Sequence, residues 1–101
     1  NDAVLTGTIC KPPIYRRTPL GREICDVMLA VPRQYQRTDY IPCILWGRTA
    51  ETAADLSVGT KITLTGRLQS RSYVKVLPEG AEERTAYELS AMGMEILEEI
   101  L

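Results

Sequence analysis

A small all-β barrel carrying one short helix is the fold class this 101-residue sequence predicts, and three observations predict it. Apolar and polar residues alternate in several stretches bounded by Pro- and Gly-containing turns, the period-two signature of half-buried strands. The alternation lapses once, over residues 48–56, where Ala, Glu and Thr take over. Gly66 interrupts the longest alternating run, as the corner of a small barrel requires.

The elements follow in chain order. Residues 3–10 form a short apolar run holding Gly7, read as a first strand with a bend. Lys11-Pro12-Pro13 ends it, and Arg16-Arg17-Thr18-Pro19-Leu20-Gly21 reads as a basic turn. Cys25, Val27, Leu29 and Val31 alternate cleanly in a second strand over residues 23–31. Pro32 stops it, and a polar loop over residues 33–38 carries Tyr35 and Arg37. In the third strand, about residues 39–47, Ile41, Cys43 and Leu45 point to the core side. Tyr40 and Trp46, six residues apart, leave from the opposite face. Ala50, Ala53, Ala54 and Leu56 suit a short helix closed by Val58-Gly59.

From Lys61 strict alternation returns, with Ile62, Leu64, Gly66 and Leu68 on one face. Thr63, Thr65, Arg67, Gln69, Arg71 and Tyr73 take the other, ending in a basic stripe with an aromatic tip. Residues 78–83 read as an acidic turn at the tip of a long hairpin, and the last strand covers roughly residues 84–96. Beyond it, Ile96, Leu97, Ile100 and Leu101 have the spacing of a helical turn or a buried strand end. Three strands, a helix and two more strands fit a five-stranded, partly open Greek-key OB-fold barrel with its short helix between strands 3 and 4. An SH3-like barrel or a small sandwich would use the same strands, but neither naturally places a helix there.

Apolar content of 45% and charged content of 25% are ordinary for a globular protein. The length suffices for a single domain, residues 1–101, with one core and no disulfide or metal staple. No stretch approaches the roughly 20 apolar residues that span a membrane, and no signal peptide is visible, although the chain begins at Asn1 without a Met. The three cysteines form no C-x-x-C pair, which argues against zinc, their odd number argues against a disulfide framework, and their apolar surroundings argue for buried, reduced thiols in a cytoplasmic protein. With no histidine, no phosphate loop and no nucleophile elbow, the expectation is no catalytic residue, no metal and no cofactor.

The net charge of −1 hides a split. Residues 1–77 carry eleven Lys and Arg against six Asp and Glu, whereas residues 78–101 carry Arg84 against seven Glu. Nine of the twelve cations are Arg, which stacks on flat rings and grips phosphate with two donors. A large ring on the less apolar face of a strand is costly in water unless something flat covers it. A nucleobase, a second packing layer or a subunit interface would each do so.

Leu29-Ala30-Val31, the polar loop, Asp39-Tyr40, Leu45-Trp46-Gly47-Arg48, Ala50-Glu51, Gly59 and Gly66-Arg67-Leu68 with Arg71 together resemble the bacterial single-stranded DNA-binding proteins. The likeness runs from Val4 through the final strand and includes Arg17-Thr18-Pro19 and Gly21 in the first turn. It implies an OB-fold whose surface aromatics stack successive bases of single-stranded DNA during replication, recombination or repair. By that resemblance Tyr35, Tyr40, Trp46 and Tyr73 fall on stacking positions. Arg33, Arg37, Arg48, Arg67, Arg71 and Lys75 are the expected phosphate contacts, followed by Arg16, Arg17 and Arg22 in the first loop, while Tyr15 and Tyr87 are expected to pack.

The family usually places Trp where this chain has Tyr at three positions. The family's acidic-tipped C-terminal extension, which recruits replication and repair proteins, is not seen before the end at Glu98-Glu99-Ile100-Leu101. The resemblance further implies a bacterial, nucleoid-associated protein that assembles with itself, as a homotetramer or as a dimer. The competing reading is an OB-type protein-interaction module that uses the same aromatic face for a protein partner.

Overall fold

Alternating side chains make strands, and here the strands close on themselves. The computed structural model describes residues 2–100 apart from the Arg71 side chain, so Leu101 of the expected C-terminal apolar group lies outside the described residues. The elements are β1 (Asp2–Ile9), β2 (Ile14–Arg17), β3 (Glu23–Pro32), β4 (Thr38–Trp46), α1 (Gly47–Ala54), β5 (Lys61–Leu77) and β6 (Gly80–Glu98). Hydrogen-bonded neighbours run β1-β5-β6-β4-β3, and β3 returns to β1 through Thr8 opposite Ala30 and Ile9 opposite Leu29. Five strands therefore form a closed barrel of OB topology. All pairings are antiparallel except β4 with β6, which run parallel from Cys43 opposite Leu89 to Leu45 opposite Ala91.

The core is the inward half of each alternation. Ile9, Val27, Leu29, Leu45, Ile62, Leu64 and Leu89 are buried together with Cys25 and Cys43. Helix α1 closes one end of the barrel by burying Ala50 and Ala53, with Leu56 just beyond it. No side-chain cap and no acidic first-turn residue supports this eight-residue helix, so its stability comes from that burial. Two glycines permit closure by close approach. A Cβ on Gly7 would stand 2.3 Å from the Ala30 carbonyl oxygen, and one on Gly66 would stand 2.0 Å from that of Ser90. Gly66 also sits at a register shift in the β5–β6 pairing, so the expected bend is there.

Three features differ from the expectation. An unexpected strand, β2, takes in Arg16 and Arg17 of the expected turn and pairs with β3 from Ile14 opposite Asp26 to Arg17 opposite Glu23. All four of its residues are exposed, so an apolar period was absent and only the open edge of β3 recruits it. The turn itself is shorter, held by the Gly21 N–H donating to the Thr18 carbonyl at 2.9 Å. The hairpin tip is likewise only Pro78-Glu79, with Leu77 opposite Gly80, and Glu82 and Glu83 already lie in β6 opposite Lys75 and Val74. Finally, β6 continues to Glu98, leaving Ile96 and Leu97 part exposed in a strand rather than in a helical turn.

Candidate nucleic-acid interface

The outward half of the alternation builds one continuous surface across β2, β3, β4, β6 and β5. Arg16 lies opposite Ile24, and Ile24 opposite Trp46. One step along, Asp26 neighbours Ile44, Ile44 neighbours Ser90, and Ser90 neighbours Arg67. Farther along β4, Tyr40 stands opposite Ala30. On the hairpin, Gln69 faces Glu88, the Arg71 backbone faces Ala86, Tyr73 faces Arg84 and Lys75 faces Glu82. The Arg71 side chain lies outside the described residues.

The four expected stacking rings are all on the surface, but not equally. Tyr35 is 89% exposed, Tyr40 64%, Tyr73 45% and Trp46 38%. Trp46 is held: its Nε1–H donates to Ser90 Oγ at 3.2 Å, and the Arg22 guanidinium lies over the ring, 6.0 Å from its centre. Its neighbour Ile24, on the same outward row, is buried. Tyr40 instead borders an open groove of about 640 Å³ shared with Arg33, Pro42, Leu68, Ala86 and Tyr87. Tyr35 sits in the β3–β4 loop, where it and Gln36 adopt left-handed φ of 62° and 59°. Tyr87, expected to pack, is exposed in this groove, and Tyr15 is part exposed on β2.

Several expected phosphate contacts already hold a carboxylate. Arg16 Nε donates to Asp26 at 2.9 Å, Arg17 meets Glu23 at 3.2 Å, and Arg33 meets Asp39 at 3.4 Å. Arg22, Arg37, Arg48, Arg67 and Lys75 have no ion pair among the described residues. Arg17 points away from Arg16, as alternation demands, toward Glu23 and Glu51. Arg48, at the start of α1, lines a separate hollow with Thr52, Met94 and Ile96. The face thus gathers Arg16, Arg22, Arg67 and Trp46 at one end of β4, and Arg33 and Tyr40 at the other.

Sequence reasoning missed Ser90 as the anchor of Trp46 and the pairing of Arg16 with Asp26, which join residues 44 and 10 apart in the chain. No local pattern announces either. Of the thiols, Cys43 is pushed up to about 12, by burial and then by the Glu88 charge, so it stays protonated at neutral pH. Among the described residues no group of His, Cys, Asp and Glu could hold a metal, and no helix is long and apolar enough to cross a membrane.

A closed OB barrel with rings and arginines on its outward strands defines a class of small β-barrel binding modules. Residues 1–97 match the single-strand binding protein family, and the chain belongs to that family. It is 38% identical over 80 residues to single-stranded DNA-binding protein B of Bacillus subtilis, covering 72% of this chain and 71% of that protein. It is 34% identical over 107 residues to single-stranded DNA-binding protein 3 of Listeria innocua, covering 97% of this chain. With single-stranded DNA-binding protein 2 of Clostridium acetobutylicum the identity is 36% over 80 residues, covering 72% of this chain. The matched part is 64% of the Listeria protein and 60% of the Clostridium protein, under two thirds of each.

Proposed function

We propose that this chain binds single-stranded DNA with little sequence preference and protects it during replication, recombination or repair. One observation carries the reading: Tyr40 and Trp46 leave the same face of β4, on a surface continuous with Arg67 and Tyr73 of β5. Family membership and the names of the relatives support it. Each stacked base contributes about 1–3 kcal/mol with little dependence on which base it is. Arg33, Arg37, Arg67, Arg71 and Lys75, with Arg16, would neutralise phosphates and release counterions. Arg17 and Arg48 would meet a strand leaving the face beside α1.

The ion pairs to Asp26 and Asp39 are exposed, with side chains 37–57% accessible. Such pairs contribute about 0–1 kcal/mol, so phosphate replaces the carboxylate at small cost. The test is a titration of Trp46 emission with oligo(dT) at several salt concentrations. Quenching with steep salt dependence is the expected result; none at low salt, or salt-insensitive binding to a protein instead, would sink the reading.

The same reading places the protein in the bacterial cytoplasm, with the nucleoid, and has it associate with itself as a tetramer or a dimer. One observation favours self-association. Over Asp2–Gly7, β1 pairs only with β5 and leaves its other edge open beside exposed Val4, and an open strand edge invites another chain. Sedimentation equilibrium measures the count, and a monomer at all concentrations would reject this part.

A further inference from the structure

We propose that Arg22 and Trp46 form a clamp that takes one nucleobase between guanidinium and indole, so that Arg22 acts on a base rather than on a phosphate. The inference rests on the reading that this face binds single strands. Its first support is a spacing. The guanidinium carbon lies 6.0 Å from the ring centre, at the outer limit of direct attraction. Two stacked contacts of about 3.5–4.0 Å each need roughly 7–8 Å, so an outward swing of about 1–2 Å admits a flat ring. Arg22 can make that swing, being an exposed side chain next to a turn whose backbone is fixed by the Arg22 N–H donating to Thr18 Oγ1 at 3.1 Å.

The opposite jaw is held by its surroundings. Trp46 is the last residue of β4, leads directly into α1, and is held at its ring edge by Ser90. Beside the jaws is an open hollow of about 540 Å³ lined by Gly21, Arg22, Glu23, Trp46 and Gly47. Apart from chain neighbours and the backbone of α1, nothing lies within 4 Å of where a Cβ would stand on either glycine, so that side of the hollow is open to an incoming base.

The flat shape of both jaws selects the occupant. Arg16 and Arg17 are matched to Asp26 and Glu23, whereas Arg22 has a π face and no ion pair among the described residues. Glu23 also lines the hollow, but its carboxylate is turned to Arg17 at 3.2 Å and toward Glu51. A base offers one flat face to each jaw, which a tetrahedral phosphate does not. Arg alone among cationic side chains presents a flat surface for this, since the Lys ammonium is a hydrated point charge.

The experiment uses the full chain, oligo(dT), and an abasic strand of equal length and charge. Wild type, Arg22→Lys and Arg22→Gln are titrated at several salt concentrations. With oligo(dT), both variants should bind about two- to fivefold more weakly than wild type, the range of an exposed cation–π contact. The slope of log K against log salt should stay unchanged, and on the abasic strand wild type and Arg22→Lys should bind alike. Wild-type affinity restored by Lys, with the slope reduced by about 0.7 in the Gln variant, would show a phosphate contact and overturn the clamp alone. Failure of the wild type to bind any strand would instead remove the reading on which the clamp rests.

Discussion

The two ends of β4 carry aromatic rings on the same face and hold them in opposite ways. At one end Trp46 is 38% exposed, tied to Ser90 and shaded by Arg22. At the other, about 20 Å away along the strand, Tyr40 is 64% exposed beside an open groove. Tyr35, in the loop leading into that end, is almost wholly in water and sits on a left-handed backbone. The difference follows from position. Trp46 stands where β3, β6 and α1 converge, whereas Tyr40 stands at the rim, next to a loop. A ring held before binding loses little conformational freedom on binding, and a free ring adapts at a higher entropic cost.

The largest effect removes the contrast by damaging the shared scaffold. Leu45→Ala, one residue from Trp46 but on the buried side, should lower stability by about 2–5 kcal/mol in urea unfolding and weaken both ends together. Next, Trp46→Ala and Tyr40→Ala should each cost about 1–3 kcal/mol of oligo(dT) binding. Only Trp46→Ala should also lower the folding stability, by about 1 kcal/mol for its hydrogen bond and the cover it gives Ile24, with the barrel still folded. Equal urea midpoints for the two variants would erase the distinction between held and open rings.

Tyr35→Asn sharpens the open side. Asn tolerates left-handed φ, so the variant should gain up to about 1 kcal/mol of stability while binding strands more weakly. Unchanged stability would mean that the loop carries no strain. The smallest effect lies beneath the held end. Glu23 beside Glu51 raises the Glu51 carboxyl above the usual carboxylate range. The folded chain then holds that proton more tightly than the unfolded one. Stability therefore falls as pH rises from the ordinary value through the raised one, and stays lower above it. Glu51→Gln should match wild type in acid and exceed it slightly in Tm near neutral pH, by less in high salt. A Tm difference independent of pH would reject the coupling.

The faces of β4 were legible because Ile41, Cys43 and Leu45 alternate with Tyr40, Ile44 and Trp46, and the burial follows that alternation. The helix was legible from Ala50 and Ala53 for the same reason, with a different period. Strand β2 was not, since an edge strand exposed at every residue carries no apolar period. The short hairpin tip escaped because neither face of that hairpin's outer part is buried, so Glu82 and Glu83 looked like turn residues while lying in β6. The rings of the candidate site could be named from the sequence, but Trp46 proved the least exposed of the four.

By itself the sequence determined which residues line the barrel and which rings face outward, because covalent geometry alone sends successive side chains of a strand to opposite faces. Only the tertiary structure decided how much of each ring meets water, that Ser90 pins Trp46, and that Asp26 and Asp39 occupy Arg16 and Arg33. Those contacts join separate strands or the two sides of a loop, and only the closing of the chain brings them within reach.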